Sequence, residues 1–196
     1  MKILSRILAR LGRTEPVNPD ASPKPVDSTL IAHVIVQAIV DRLPGVTSLE
    51  VVKAAYIVQI LHVGRHGQRA MPDWFKATLM GPYDDHVHAI AKRAVKRRDR
   101  GAKPEVVGLP ETATLAIVDE VCRTFRESSG AAFTHLTSLP GGAWERLWKP
   151  DPALSMPISD PRRIRSRLNA YDGAIIDHAS MIDDYRLMTR PLPKAA

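Results

Sequence analysis

The chain of 196 residues contains one cysteine, few aromatic residues and no long hydrophobic run. Because a disulfide needs two thiols and a cysteine-based metal site needs several, Cys122 alone excludes an intrachain disulfide and a thiolate metal site. A single cysteine within an apolar helical pattern is typical of a reducing compartment, so we expect a cytoplasmic protein. Arginines interrupt the apolar residues near the start, which leaves no stretch long enough for a transmembrane segment.

The sequence also lacks the short motifs that mark common catalytic sites. It contains no GxSxG nucleophile elbow, no Walker phosphate loop, no GxGxxG fingerprint and no HExxH zinc motif. The residues with metal-ligating side chains that lie near one another in sequence are His62, His66, Asp84, Asp85, His86 and His88. His62 and His66 could share a helix face, but Gly64 lies between them and makes a helix doubtful there. A structural or solvated role is therefore favoured. We expect a protein that is not an enzyme, with no catalytic residue, metal or cofactor.

The remaining composition is that of an ordinary globular protein with a basic excess. Hydrophobic residues make up 44% of the chain, and 28 lysines and arginines against 21 acidic residues give a formal net charge of +7. The length suits one domain with its own core. The basic excess favours an acidic protein partner, a nucleic acid or an anionic surface, without choosing among them.

Prolines and helical periodicity divide the chain into an arm, one domain and a tail. Residues 1–13 place apolar and basic side chains on opposite faces at helical spacing, and residues 14–27 have the proline-rich, polar composition of a linker. Apolar residues recur at helical intervals through residues 28–186. We expect an all-α domain of roughly six or seven helices there, with no strand pair, followed by a flexible tail over residues 187–196.

Capping signals mark several helix boundaries. Thr47 and Glu50 have the spacing of a capping box, which predicts a helix over about residues 48–62. Pro82 suits the first turn of the following helix, because a proline at that position loses no helical hydrogen bond. A last helix is expected over about residues 161–186, with Ile175 on its buried face.

Several of the large aromatic residues fall in segments of irregular sequence. Such residues either fill gaps between helices or anchor a protein partner, and both interpretations stay open. Because loops often carry binding residues, we take the irregular segments 68–83 and 138–148 as the candidate interface. Its candidate partner-binding residues are Trp74, Phe75, Tyr83, Trp144 and Trp148.

A basic run occupies the end of the helix that is expected after Pro82. It consists of Lys92, Arg93, Lys96, Arg97, Arg98 and Arg100. Several charges along one helix suit a nucleic-acid backbone, but a solvated face or an acidic patch on a protein explains them equally well. Nucleic-acid binding, as a regulator, is therefore the second hypothesis for function.

Three segments of the chain resemble, in order, the motifs of the Panacea domain. TSLEVVKAAY (47–56) resembles that family's T-x-L-x-L-x-K-L-L-Y helix, and FKATLMGPY (75–83) resembles its F-x-A-x-x-Y-G-P-V element. FTHLT (133–137) with the following AW resembles its L-S-x-L-T-H … P-W segment. The matched positions that we take as scaffold are Thr47, Lys53, Tyr56, Gly81, Pro82 and Thr137.

The resemblance covers about residues 28–186. Departures from the motifs make the chain resemble a divergent member of the family. Ser138 stands where the family usually has histidine, and Met80 where it favours tyrosine, so no role of that histidine is carried over. The family implies a bacterial antitoxin of a toxin–antitoxin system, which neutralises its cognate toxin by direct binding. SocA-like relatives imply, in addition, a proteolytic adaptor that delivers the toxin to the ClpXP protease. Phage-associated proteins carry the same domain.

Overall fold

The computed structural model describes residues 28–72, 74–79, 81–105, 108–126, 130–148 and 173–190. Within them the chain is mainly helical, with seven helices and one small hairpin, so the expected all-α class and number of helices are confirmed. The expected N-terminal arm, and residues 161–172 of the expected last helix, lie outside the described residues. Within those same ranges, no helix has both the length and the apolar character that crossing a bilayer would need.

Helix α2 is the centre of the fold, and the other elements surround it. The helices are α1 (Ser28–Arg42), α2 (Ser48–His66), α3 (Asp85–Asp99), α4 (Thr112–Arg126), α5 (Gly130–Thr137), α6 (Ala143–Leu147) and α7 (His178–Thr189). The strands are β1 (Lys76–Thr78) and β2 (Gly81–Tyr83). Helix α2 contacts α1, α3, α4, α5, α7 and β2. Every residue from Val51 to Val63 except Lys53 is buried, as an apolar helix without a polar face requires.

The boundaries of α2 follow from its caps. The Glu50 N–H donates to Thr47 Oγ1 and the Thr47 N–H donates to Glu50 Oε2, which completes the predicted capping box. The helix ends at Gly67, whose φ of 66° suits glycine, so it is longer at this end than the expected residue 62. It continues through Gly64 because burial outweighs the cost of about 1 kcal/mol for a glycine within a helix.

The expectation of no strand pair is wrong. Strands β1 and β2 form an antiparallel hairpin in which Lys76 lies opposite Tyr83 and Ala77 lies opposite Pro82. Pro82 therefore lies in a strand rather than in the first turn of a helix, and α3 begins after its N-cap Asp84. Three-residue strands are too short to show the alternation by which a strand is recognised in sequence.

Residues 174–176 add a third extended segment beside β1. Lys76 and Ile175 form an antiparallel bridge, and the Ala77 N–H donates to the Ala174 carbonyl at 2.8 Å. Ile175 is thus extended and 51% exposed, not on the buried face of a helix. The final helix, α7, begins only after Asp177 and extends into the expected tail.

A buried carboxylate on α7 joins three helices. Asp184 Oδ2 accepts the hydroxyl of Tyr56 on α2 at 2.7 Å, and Oδ1 accepts the Ala143 N–H that opens α6 at 2.6 Å. Burial raises the pKa of Asp184, whereas these two donors lower it. A buried carboxylate without such donors would cost several kcal/mol, so these bonds are needed to hold α7 against α2.

Two further polar side chains of α2 are buried together with their partners. Arg65 donates to both carboxylate oxygens of Glu120 on α4, at 2.7 and 2.9 Å. Gln59 donates to the Met71 carbonyl and accepts the N–H groups of Ala70 and Met71. These contacts fix α4, and the chain leading to the hairpin, relative to the central helix.

We expect Gly64→Ala to destabilise the protein, although alanine is the better helix former. A Cβ at Gly64 would lie 2.0 Å from Cγ of Tyr185, so helix α7 would have to move. Overpacking of this kind should lower the free energy of unfolding by about 1–3 kcal/mol, measured by urea denaturation. The matched control is Gly108→Ala, where a Cβ meets nothing within 4 Å. Equal stability of the two variants would contradict the close contact between α2 and α7.

Candidate functional sites

Three of the motif residues hold α2, α5 and the hairpin together. The Lys53 ammonium is partly buried and donates to Thr134 Oγ1 on α5 at 2.7 Å. A Cβ at Gly81 would lie 3.9 Å from Lys53 Cε and 3.8 Å from Thr137 Oγ1, so β2 passes close to both side chains. Burial lowers the pKa of Lys53, and the nearby Glu50 raises it. These contacts are structural, because each joins two elements of the scaffold.

The remaining motif residues also belong to the scaffold. Tyr56 is fully buried, and its ring packs against Phe75 with centroids 5.1 Å apart. Phe75 was a candidate partner-binding residue, but it is 0% exposed and therefore lies out of reach of a partner in this arrangement. Pro82 is buried opposite Ala77, and Thr47 caps α2.

The outward side of the hairpin carries exposed hydrophobic side chains. Residues opposite one another in adjacent antiparallel strands share a face, so Tyr83, Lys76 and Ile175 form a row across it. Trp74 precedes Lys76 by two residues and shares its side, and Leu79 lies at the turn. Trp74, Leu79 and Ile175 are 50%, 48% and 51% exposed. We call these five residues the hairpin face.

The hairpin face holds three of the five large hydrophobic side chains that are exposed in the described ranges. The other two, Leu30 and Leu109, lie on α1 and in the segment before α4. The guanidinium carbon of Arg69 lies 3.3 Å from the centroid of the Trp74 ring, in a cation–π contact that restricts its orientation. Together with Lys76, Arg69 places positive charge beside the exposed apolar groups.

Two of the candidate tryptophans, Trp144 and Trp148, lie where α6 meets the hairpin. Trp144 Nε1 donates to the Thr78 carbonyl at 2.7 Å, and the two indole rings stack with centroids 6.2 Å apart and planes within 8°. Both rings are partly buried. Of the five predicted partner-binding residues, Trp74 is thus exposed, Tyr83, Trp144 and Trp148 are partly buried, and Phe75 is in the core. Sequence reasoning missed Leu79 and Ile175, since exposure at a hairpin turn or edge depends on tertiary contacts.

The histidines and acidic residues that lie close in sequence do not form one cluster. Helix α2 brings the His62 and His66 rings to 4.7 Å, whereas Asp84 caps α3 and His86 packs against His33. No group of three His, Cys, Asp or Glu residues is arranged to hold a metal ion in the part of the chain described. Burial raises the pKa of the Cys122 thiol to about 12, so it carries no reactive thiolate near neutral pH.

His88 joins three elements beside the hairpin face. Its Nδ1 lies 2.6 Å from the Tyr83 hydroxyl on β2, and its Nε2 lies 3.3 Å from Ser48 Oγ at the start of α2. Burial lowers the pKa of His88, and the charge of Lys92 lowers it further, whereas Asp85 raises it. A neutral ring satisfies both neighbours by accepting from Tyr83 and donating to Ser48.

Four of the six residues of the basic run lie on the exposed side of α3, and a fifth, Arg100, is exposed directly after it. This basic stripe consists of Lys92, Arg93, Lys96, Arg97 and Arg100. The sixth residue, Arg98, turns inward and donates to the carbonyls of Leu43 and Val46, at 3.3 and 3.1 Å. Arg98 therefore supports the connection between α1 and α2 and does not belong to the stripe.

Repulsion between the like charges of the basic stripe destabilises α3. Lys92–Lys96, Lys96–Arg100 and Arg93–Arg97 are like-charge pairs four residues apart, each destabilising by about 0.2–0.5 kcal/mol. The negative end of the helix dipole offsets this cost only in the last turn. Arg97 pairs with Glu105 at 3.5 Å, but both groups are about half exposed, so the pair contributes little. The packing of the fold therefore gives no reason for this charge pattern.

We expect the free energy of unfolding to fall as the pH decreases from about 7.5 to 5.5. Burial lowers the pKa values of His62, His66 and His88 below that of an ordinary histidine, so the unfolded chain takes up protons first. The buried His62 can be replaced by glutamine, which retains a donor for the Gln68 carbonyl. Urea denaturation of His62→Gln should show a weaker pH dependence than wild type, whereas His135→Gln, at an exposed position, should retain it. If His62→Gln kept the full pH dependence, the neutral buried imidazole would not be its source.

No family model matches the chain, and no curated protein and no solved structure is similar to it. The functional assignment therefore depends on two features of the chain itself. One is the order of the motif residues, and the other is the pair of exposed surfaces, the hairpin face and the basic stripe.

Proposed function

We propose that the protein is a non-catalytic antitoxin that neutralises a cognate toxin by direct binding, with the hairpin face as its binding surface. The observation that carries this proposal is that Trp74, Leu79 and Ile175, each about half exposed, all lie in the short hairpin or directly beside it. Exposed apolar groups gathered in one place mark protein interaction sites, whereas scattered ones need no explanation.

The chemistry of the hairpin face defines the partner that fits it. Burying half-exposed tryptophan and aliphatic side chains is favourable by about 25 cal/mol for each Å² removed from water. Tryptophan is enriched among the residues that dominate binding energy, and Arg69 restricts the Trp74 ring before binding. Arg69 and Lys76 favour a toxin surface with an apolar centre and an acidic rim.

The resemblance to the Panacea domain supports a toxin as the class of partner. In that family one domain neutralises widely differing toxins, which requires a constant scaffold and a variable surface. The matched residues Lys53, Tyr56 and Gly81 belong to the scaffold by their contacts. The exposed Leu79 and Ile175 stand at positions that the quoted motifs leave open or do not cover. A divergent surface on a common platform is consistent with a toxin of its own.

Two modes of action are compatible with this proposal. Binding alone sequesters the toxin, whereas a proteolytic adaptor delivers the bound toxin to ClpXP. Both modes act in the bacterial cytoplasm, and both need the same complex of toxin and antitoxin. The adaptor mode differs in one respect, because neutralisation then also depends on the protease.

The test is co-expression with the product of the adjacent gene, scoring growth and co-purification together. We expect the neighbour to be toxic alone, harmless in the presence of this protein and retained with it through a column. The double variant Trp74→Ala/Ile175→Ser should weaken the complex about 30-fold or more, since truncation of a central tryptophan costs about 2 kcal/mol. Its free energy of unfolding should change little, because both side chains are half exposed.

Leu109→Ser is the matched control, because Leu109 is 69% exposed and belongs to the segment before α4 rather than to the hairpin. It should neutralise and co-purify like wild type. Equal binding by the double variant and the control would remove the hairpin face from the proposal, and a harmless neighbour that forms no complex would remove the antitoxin role. In a strain without ClpX, retained neutralisation indicates sequestration and lost neutralisation indicates delivery.

A further inference from the structure

We propose that the basic stripe of α3 binds the phosphodiester backbone of a nucleic-acid duplex, as a second surface independent of the hairpin face. The stripe follows the helix axis in regular steps. Lys92, Lys96 and Arg100 are four residues apart, which places them about 6 Å apart along the axis and makes the stripe about 12 Å long. Duplex DNA presents about one negative charge for every 1.7 Å of its axis, so a stripe of this length faces several phosphates at once.

The fold does not need the charges of the stripe. Helix α3 packs on the core through Val87, Ile90, Ala91 and Ala94, on the side opposite the stripe. The side chains of Lys92, Lys96 and Arg100 make no hydrogen bond or ion pair with the residues that the structure describes. Their mutual repulsion is therefore retained without a compensating contact inside the described protein, and an external polyanion would compensate it.

Acidic side chains near the stripe are already engaged. Asp99 accepts two hydrogen bonds from Arg98, and Glu105 pairs with Arg97. Asp85 lies at the other end of α3, about two helical turns before Lys92. On α1, His33 Nε2 lies 3.4 Å from the guanidinium of Arg93, so this neighbour adds no negative charge. The stripe thus presents mainly positive charge to a ligand.

The surroundings of the stripe favour a nucleic acid over an acidic protein. A protein interface needs a desolvated centre of apolar or aromatic side chains, in which lysine is depleted. The exposed residues of α3 from Lys92 onward are all charged, and none of the large exposed hydrophobic side chains described lies on this helix. A phosphate backbone needs charge alone and no such centre.

The same residues predict binding without strong sequence preference. The stripe contains no asparagine or glutamine, which read adenine in the major groove, and no aromatic residue to stack on unpaired bases. Contacts to phosphates fix a protein on a duplex but carry little sequence information. DNA and RNA duplexes share this backbone chemistry, so both belong in the test.

The experiment measures binding of the full chain to labelled 20-base-pair DNA and RNA duplexes by fluorescence polarisation between 50 and 200 mM salt. Five phosphate contacts predict a slope of log affinity against log salt of about −4 to −5. Affinity should therefore fall about 500-fold across that fourfold range of salt. Binding to either duplex supports the proposal, and the difference between them identifies the biological source of the backbone.

The decisive variant is Lys92→Gln/Lys96→Gln/Arg100→Gln, which should flatten the slope by about 3. Its matched control is Arg123→Gln/Arg186→Gln/Arg190→Gln, which removes the same net charge from exposed positions outside α3 and should keep the wild-type slope. Far-ultraviolet circular dichroism should be unchanged in both. Trp74→Ala/Ile175→Ser should keep wild-type duplex binding, so failure of the antitoxin proposal and failure of this one are distinguishable.

Three results would overturn the assignment. One is absence of duplex binding at 50 mM salt, and another is an equal change of slope in the two triple variants. The third is that unlabelled polyglutamate competes with the labelled duplex as effectively as unlabelled duplex of equal charge does. That result would assign the stripe to an acidic protein instead.

Discussion

The burial of α2 on nearly all sides is the constraint on which the rest of the structure depends. A helix without a polar face has to be covered by other elements, and α1, α3, α4, α5 and α7 cover it. Its few polar side chains then need partners inside the protein. Tyr56 donates a hydrogen bond to Asp184 on α7, and Arg65 donates to Glu120 on α4. Each partner fixes one surrounding helix in position as well as satisfying a buried group.

This arrangement separates the scaffold from the surfaces that contact other molecules. The residues on which the resemblance to the Panacea motifs rests, such as Lys53 and Gly81, lie where elements meet, and substituting them would act first on folding. The hairpin face and the basic stripe differ in chemical character, since the first is largely apolar and the second is charged. The side chains exposed on these two surfaces are not needed to close the core, so they can change without loss of the fold.

Much of the helical scaffold could be predicted from sequence because its signals are local. The capping box at Thr47 and the apolar pattern of α2 depend on neighbours within a few residues, and both are observed. The hairpin could not be predicted, since three-residue strands carry no clear alternation and Ile175 joins them from far along the chain. Exposure of Leu79 and Ile175 is a consequence of that tertiary pairing.

The sequence of the basic run indicates which of its residues turns toward the core. Arg98 follows Ala94 by four residues and Ala91 by seven, which places it on the buried side of α3, and its guanidinium does turn inward to Leu43 and Val46. The period of the buried residues could therefore have separated Arg98 from the stripe. What sequence could not supply is the identity of the two carbonyl groups that it reaches.

The three tryptophans of the chain differ in their surroundings, and this gives the protein an intrinsic optical probe. Trp144 and Trp148 stack on each other and are partly buried, whereas Trp74 is half exposed beneath the guanidinium of Arg69. A small soluble quencher should thus reach the Trp74 indole more readily than the stacked pair. Quenching of Trp74 by such a molecule should therefore decrease when the hairpin face is covered, which can be measured without a dye or an introduced label.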